Sequence, residues 1–254
     1  MTQDTELIKK RLTELGRKSY SSGIFTFTDF LGLAEQAAFN EIKRELRGIH
    51  YEAFGGAEGA ERVIIRFGSE EELGYSLPYP ISVVKAEPLS PKYADRLTHR
   101  DFLGAILNLG IERDTLGDIL IIDNVGYIFA LENIAPYIAD SLSKVKRTDV
   151  KTEILRVEEL PEGELYRTER KTVQISGERL DAVVAKVFSL SREDAQLLFK
   201  RGLVFADGRQ IDSTSYVPKE SERISVRHHG RFIYLGRQSL SKKGKLNVAV
   251  ELYV

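Results

Sequence analysis

Basic side chains recur at the ends of two short helical patterns near the C-terminus, where they could bind phosphate. Arg179 opens the first pattern and Arg192 the second, while Lys200 and Arg201 close the second. The amino end of a helix carries unpaired N–H groups and a partial positive charge, so a guanidinium placed there creates an anion site suited to phosphate. Taken singly, such residues more often pair locally, as Arg179 could with Asp181.

The elements that would position these side chains are two helices and a hairpin within residues 179–208. Ser191 supplies an N-cap hydroxyl for the second helix, and Asp194 follows three residues later. Gly202 ends that helix, and Asp207-Gly208 predicts a tight turn between two short strands. Each helix has an apolar stripe at helical spacing, made by Leu180, Val183, Val184, Val187 and Phe188 in the first and by Ala195, Leu198 and Phe199 in the second.

The same stretch resembles the S4 RNA-binding domain, a helix–turn–helix-like RNA reader packed on a small sheet. The matching strings are R-L-D, S-R-x-x-A and K-R-G-L-V-F-A-D-G. The resemblance implies that RNA backbone is contacted by Arg179, Ser191, Arg192, Lys200 and Arg201. Arg209, Arg227 and Arg231 are further candidates on the strands that follow. Residues 237–245 are predicted to form a mobile basic loop.

The chain has a formal net charge of −1, but its charges are unevenly divided. Residues 171–254 hold 15 basic and nine acidic residues, a net charge of +6, whereas residues 1–170 hold 22 and 29, a net charge of −7. A basic C-terminal segment is expected of a module that binds phosphates. The absence of cysteine excludes disulfides and fits a reducing compartment. With neither a signal-peptide pattern nor an apolar run of about 20 residues, we expect a cytoplasmic protein without membrane contact.

Apolar periodicity predicts an α+β protein with three domains, at residues 1–74, 75–160 and 171–254. In the N-terminal α/β domain, one amphipathic helix is predicted to close at Gly16, and a second to run from Asp29 or Gly32 to about Gly48. Two strands flank the cluster Gly55–Gly59, which predicts a hairpin rather than a nucleotide-binding loop, since no Lys-Ser/Thr follows. The charged stretch 158–170 is predicted to be a linker or exposed edge before the last domain.

The middle domain has the predicted order β-α-β-β-α-β, a split βαβ unit of the ferredoxin-like or RNA-recognition-motif type. Tyr127 and Phe129 alternate on its third strand and would share one face. They could stack on RNA bases, although packing in the core is the favoured alternative. A possible second RNA surface consists of His99, Arg100, Arg113, Tyr127 and Phe129.

The string His99-Arg100-Asp101 raises the question of catalysis. A kinase catalytic loop is excluded because the glycine-rich loop and D-F-G string are missing. A His-Asp dyad would need a nucleophile and an oxyanion site, and neither has a motif. We favour a helix N-cap at Thr98 with Asp101 at its third position, leaving Arg100 to face a partner or phosphate. No metal site or cofactor is predicted, because the histidines have no ligand spacing.

The strings L-T-H-R-D-F-L-G-A, L-G-I-E-R and G-D-I in residues 97–119 carry a second resemblance. Together with the S4 strings, they resemble the YlmH family of bacterial proteins over essentially the whole chain. The family implies an N-terminal α/β domain, an RNA-recognition-like middle domain and a C-terminal S4 domain. It further implies a non-enzymatic protein that binds rRNA and tRNA on the large ribosomal subunit, and we expect this protein to be a monomer. The implied role is rescue or quality control of stalled translation near peptidyl-tRNA, with an associated link to cell division.

Two alternatives stay open. One is an RNA-modifying enzyme of the pseudouridine synthase or methyltransferase type, because S4 domains occur in such enzymes; no catalytic domain follows the S4 strings, however, and no glycine-rich turn follows a first strand. The other is an adaptor, for example in cell division, whose acidic first 170 residues recruit a protein partner.

Overall fold

A computed structural model describes residues 3–160, 165–241 and 244–253. The chain forms two compact units, Met1–Leu165 and Tyr166–Val254, and its fold is α+β. Of the predicted linker, residues 161–164 lie outside the described residues. Among the helices that are described, none is both long and apolar enough to cross a membrane.

The first unit begins with a small three-stranded sheet packed on two helices. Helix α1 (Gln3–Ser22) runs past Gly16, so the prediction that it closes there is wrong. A Cβ at Gly16 would lie 2.9 Å from Leu46 and 3.3 Å from Phe67, so glycine serves close packing inside the helix rather than its end. The other elements are β1 (Thr26–Phe27), α2 (Leu33–Ile42), β2 (Tyr51–Phe54), β3 (Ile64–Phe67) and α3 (Glu70–Leu73), with strand order β1-β3-β2.

The second sheet of this unit has the predicted split βαβ order. Its strands lie in the order β5-β6-β4-β8-β7, all antiparallel, which is the ferredoxin-like arrangement with β7 added at one edge. The elements are β4 (Ile81–Pro88), α4 (His99–Leu107), β5 (Leu116–Ile122), β6 (Val125–Leu131), α5 (Ala135–Ser141), β7 (Lys144–Val145) and β8 (Thr148–Arg156).

The two faces of this second sheet bury different partners. Alternate strand residues point to opposite faces, so Ile128 packs with Phe102 and Ile106 of α4, whereas Phe129 points away from the helices. Phe129 is fully buried with Phe30 and Ile64 from the N-terminal segment. One compact unit therefore contains both sheets, and the independence of domains 1–74 and 75–160 stays a prediction.

The second unit is a six-stranded antiparallel sheet with two helices on one face. The strand order is β11-β10-β12-β13-β14-β9. Its core contains Val183, Val184 and Phe199 from the helices and Phe232 and Val250 from the sheet. The elements are β9 (Thr168–Ile175), α6 (Leu180–Val187), α7 (Arg192–Lys200), β10 (Val204–Ala206), β11 (Arg209–Gln210), β12 (Arg223–Val226), β13 (Gly230–Leu240) and β14 (Leu246–Tyr253).

The prediction of a mobile loop over residues 237–245 is wrong for its first part, because β13 extends into it. β13 continues through Leu240 and pairs there with Leu246, so the first four residues of the predicted loop belong to a strand. Two of its basic residues, Lys242 and Lys243, lie outside the described residues.

Candidate nucleic-acid interface

A groove of about 380 Å³ runs beside α6 and the start of α7 in the second unit. Four basic side chains line it, Arg179, Lys186, Arg192 and Lys245, together with one carboxylate, Asp181. We call this the α6 groove. Lys186, Arg192 and Lys245 are exposed, and none of the three forms an ion pair with any residue that the structure describes. The five ionised side chains give the groove a formal charge of +3.

Arg179 is engaged differently from the other three cations. Its Nε and Nη2 donate to the two carboxylate oxygens of Asp181 at 3.1 and 2.8 Å. The Asp181 side chain is fully buried, whereas that of Arg179 remains 39% exposed. Gln196 on α7 donates a third hydrogen bond to Asp181 at 3.2 Å. Arg179 therefore neutralises a buried carboxylate that joins the two helices, and only its remaining N–H groups are available to a ligand.

The start of α7 is fixed by hydrogen bonds that the sequence specifies locally. Ser191 has extended backbone and its hydroxyl accepts from the N–H of Asp194 at 3.1 Å, so it is the N-cap of α7. The same hydroxyl donates to the Asp194 carboxylate at 2.6 Å. Ser191 was predicted to contact RNA, but both of these hydrogen-bonding roles of its hydroxyl are already used within the helix cap.

Lys200 and Arg201 lie at the far end of α7, away from the α6 groove. Both are exposed. Lys200 lies eight positions after Arg192, which at about 1.5 Å per residue places their Cα atoms roughly 12 Å apart along the helix axis. That span is about two phosphates of an extended strand, so a backbone following α7 could meet both ends. Neither residue lines the groove itself.

The three remaining candidates of the second unit are held by aromatic rings. Arg209 donates to the Tyr216 hydroxyl at 3.1 Å and lies 5.5 Å from the centre of that ring. Arg227 lies 5.4 Å from the centre of Phe205. Arg231 neighbours Phe232, which points to the helices, so its side chain lies on the helix-free face of the sheet.

On that face, Arg231 contacts two tyrosines. Its guanidinium lies 4.8 Å from the ring centre of Tyr166 and 4.3 Å from that of Tyr253. The eight predicted residues thus do not form one surface: the groove holds Arg179 and Arg192, the far end of α7 holds Lys200 and Arg201, and the sheet holds Arg231.

The five residues of the predicted second RNA surface are also separated. Phe129 is fully buried, so of its two alternatives the structure places it in the core. Tyr127 lies on the same sheet face and is half-buried. His99 and Arg100 begin α4, on the opposite, helix-bearing face. Stacking of a base on Phe129 is therefore excluded in this structure.

Arg113 is a structural residue rather than a surface cation. Its Nη1 donates to the carbonyls of Leu116 and Gly117 at 2.7 and 3.1 Å. Desolvation lowers the pKa of Arg113 to about 10, with a further lowering by the neighbouring Arg62. Partial desolvation, followed by the charge of Arg113, also lowers the pKa of His99. The lowered pKa favours the neutral form of its imidazole.

Two basic residues of the α6 groove were missing from the sequence-based list of RNA ligands. Lys186 belongs to the last turn of α6, and Lys245 precedes β14, 59 positions later. The helical period could have placed Lys186 on the same side as Ala182, which also lines the groove. Nothing local indicates that Lys245 approaches α6, because the pairing of β14 with β9 brings it there.

Comparison with known proteins agrees with this architecture. Residues 81–159, which span the split βαβ sheet, match a family model described as "Putative RNA-binding domain in YlmH". A search of curated proteins finds the "Ribosome-associated protein quality control protein P2" of Bacillus subtilis, 27% identical over 232 residues, covering 88% of this chain and 86% of that protein. Residues 81–159 therefore match the RNA-binding domain of the YlmH family.

A solved structure with the family's name was also found, the "Cell division protein ylmH from Streptococcus pneumoniae". It is 24% identical and has a TM-score of 0.47, covering 63% of this chain and 95% of that one. The similarity to the Bacillus subtilis protein extends over most of both chains, so it includes the second unit as well as the region matched by the family model.

Proposed function

We propose that this protein binds structured RNA of the large ribosomal subunit through the α6 groove and acts without catalysis in the quality control of stalled translation. The observation that carries the proposal is the groove itself. Lys186, Arg192 and Lys245 line one concave surface, and no carboxylate among the described residues pairs with any of them. Cations in such an arrangement attract a phosphate backbone, and Arg179 adds a partly exposed guanidinium edge.

The comparisons supply the biological setting. The family model concerns RNA binding, and the Bacillus subtilis relative is named as a ribosome-associated quality control protein. Binding to rRNA and to peptidyl-tRNA is the finer part of the proposal. Because phosphate contacts position a protein without reading bases, the shape of the folded RNA would set specificity.

The direct test replaces Lys186, Arg192 and Lys245 together with alanine and measures binding to purified large ribosomal subunits over a range of salt concentrations. Each lost phosphate contact should lower the log–log salt slope by about 0.7–0.9, which corresponds to roughly five- to eightfold weaker binding at 0.1 M salt. The matched control replaces Arg167, Arg170 and Lys219, three exposed cations of the same unit that do not line the groove. Equal losses in both triple variants would mean that general charge, not the groove, governs binding.

Absence of catalysis is tested separately. Purified protein incubated with ribosomal RNA should neither transfer a methyl group from labelled S-adenosylmethionine nor convert uridine to pseudouridine. Either product, in amounts that rise with enzyme concentration, would establish the RNA-modifying alternative.

A further inference from the structure

We propose that the first unit carries a second RNA contact, where an unpaired base stacks on Tyr93 and neighbouring phosphates bind Arg96 and Arg100. We call this surface the loop patch and define it as residues 92–101 and 144–149. The inference rests on the proposed function, since it takes the partner to be RNA, but it concerns a different surface from the α6 groove.

In RNA-recognition-motif domains, RNA bases stack on the helix-free face of the split βαβ sheet. In this protein, part of that face is covered by other residues of the first unit. Phe129, Val83 and Ile81 on that face are buried against Phe30 and Ile64 of the N-terminal segment. The backbone at Gly56 packs so closely on this face that a Cβ added there would lie 2.5 Å from the Phe129 ring.

The rest of that face offers no net positive charge among the residues that the structure describes. It carries Lys85, Glu87, Lys151 and Glu153, in which Lys151 pairs with Glu87 at 2.8 Å and Lys85 lies between the two glutamates at 3.6 and 4.0 Å. Two lysines and two glutamates cancel, so RNA bound by the module needs another surface.

The loop patch is a cationic area in an acidic unit. Residues 1–165 contain 20 basic and 28 acidic residues, whereas the patch contains six basic and three acidic residues. Each of its three aspartates is paired, in Lys144–Asp149, Lys146–Asp101 and Arg147–Asp95. The three cations that remain, Lys92, Arg96 and Arg100, are exposed and have no ion-pair partner among the described residues.

The patch also presents an aromatic ring to solvent. Tyr93 is 83% exposed, the largest value among the exposed large hydrophobic side chains of the described chain. The ammonium of Lys92 lies 5.7 Å from the centre of its ring. Exposed aromatic rings flanked by basic residues are the usual platform for stacking unpaired bases. Exposing a tyrosine costs hydrophobic free energy, which such a contact would recover.

The backbone of the patch is held in place before any ligand arrives. Asn124, at φ +66°, accepts from the N–H of Leu97 at 2.7 Å and donates to the carbonyl of Asp95 at 2.9 Å. The Thr148 hydroxyl accepts from the N–H of Asp95 at 3.0 Å. These bonds join the 92–98 loop to the β5–β6 and β7–β8 turns, so less ordering entropy is lost on binding.

An open hollow of about 580 Å³ adjoins these residues, lined by Arg96, Leu97, Ile121 and Asn124 with the carboxylate of Asp123 at one side. Leu97 and Ile121 give the hollow apolar surface that could contact the face of a flipped-out base. The loop patch thus combines positive charge, an exposed ring and a recess within one rigid frame.

The first test uses the full-length protein and two RNAs, a hairpin with an unpaired loop and a fully paired duplex of equal length. Replacing Arg96 and Arg100 with alanine should weaken hairpin binding roughly 25- to 60-fold at 0.1 M salt and lower the salt slope by about 1.4–1.8. The matched control replaces Arg44 and Arg47, two exposed arginines of the same unit. If the two double variants bind the hairpin equally, the loop patch is not an RNA site.

The second test separates stacking from charge. Tyr93→Ala should weaken hairpin binding roughly five- to 150-fold, while Tyr93→Phe, which keeps the ring, should bind within about twofold of the unmodified protein. Binding of the duplex should not change, because a fully paired duplex offers no free base to stack on the ring. Tyr137→Ala, at a tyrosine 52% exposed on α5, is the control. If Tyr93→Ala binds the hairpin normally, the stacking contact is wrong.

The two proposals fail in distinguishable ways. Loss of ribosome binding in the α6-groove triple variant with no effect of the loop-patch variants would overturn only the inference about the patch. Normal ribosome binding by the groove variant would instead refute the proposed function, whatever the hairpin shows. Thermal unfolding of Tyr93→Ala and of the Arg96/Arg100 double variant should match the unmodified protein, because these side chains are exposed.

Discussion

At the scale of single residues, Arg179 and Arg192 look equivalent in sequence but differ in structure. Each stands at the start of a helix and each lines the same groove. Arg179, however, neutralises the buried Asp181, whereas Arg192 is exposed without an ion-pair partner among the described residues. Removing one partner of a buried pair leaves an uncompensated charge, so the two arginines should respond differently to substitution.

Arg179→Ala should destabilise the protein by about 2–3 kcal/mol, because Asp181 stays buried with only the Gln196 hydrogen bond. The value is toward the low end for a buried pair because Arg179 is itself 39% exposed. Arg192→Ala should change stability by less than about 0.5 kcal/mol while weakening ribosome binding. Urea unfolding of both variants measures the difference. Equal stabilities would show that Asp181 does not depend on its guanidinium partner.

Ser191 distinguishes a helix cap from a phosphate ligand. Ser191→Ala should lower the free energy of unfolding by about 1 kcal/mol through loss of the N-cap of α7. Ser191→Thr, which keeps the hydroxyl, should recover most of that stability. At temperatures where every variant is folded, the affinity for ribosomes should not change. Weaker binding by Ser191→Ala that Ser191→Thr restores would mean that the hydroxyl also binds RNA.

At the scale of elements, the predicted cap of α4 is present and has a consequence for pH dependence. The Asp101 carboxylate accepts from the N–H and the hydroxyl of Thr98 at 2.8 and 2.6 Å, and pairs with Lys146. The hydrogen bonds from Thr98 first, and then Lys146, lower the pKa of Asp101. When the pKa of a carboxyl is lower in the folded state than in the unfolded state, its ionised form stabilises the fold at pH values above the unfolded-state pKa. That stabilisation is lost as the pH falls through the folded-state pKa.

Asp101→Asn should therefore lower the melting temperature at neutral pH, and the difference from the unmodified protein should shrink as the pH falls below 3.8, the ordinary value for this group. Thermal unfolding at a series of pH values measures it. Glu112→Gln, an exposed carboxylate for which no ion pair is present in the described chain, provides the control. A constant difference across the pH range would indicate that the ionised carboxylate of Asp101 is not what stabilises α4.

Elements that local patterns specify could be predicted, and contacts between distant elements could not. The stripe from Leu180 to Phe188, the Ser191 cap and the Asp207-Gly208 turn each depend on neighbours within a few residues, and each is present. The prediction that α1 ends at Gly16 is wrong because the sequence does not distinguish a glycine that ends a helix from one that allows Leu46 and Phe67 to pack closely. The α6 groove depends on β14 reaching β9, a pairing across 71 to 85 positions that no local pattern reports.

At the scale of the whole molecule, charge is divided between two compact units. Residues 1–165 carry 20 basic and 28 acidic residues, and residues 166–254 carry 17 and 10. An acidic unit repels a phosphate backbone unless its cations are gathered locally, as in the loop patch. The sequence could predict the overall asymmetry, but not that the N-terminal segment covers the sheet face on which base stacking was considered.

That covering makes Phe129 the residue that decides between a packed and a base-binding sheet. Phe129→Ala should lower the free energy of unfolding by about 3–5 kcal/mol, because the ring is fully buried among Phe30, Ile64 and Val83 and its removal leaves a cavity. Phe129→Leu should lower the free energy of unfolding by less. The folded fraction of this variant should bind RNA as the unmodified protein does. Were Phe129 instead a stacking platform, its removal would leave stability almost unchanged and weaken RNA binding. Denaturant unfolding together with RNA titration of the folded fraction therefore gives opposite results for the two arrangements of this sheet.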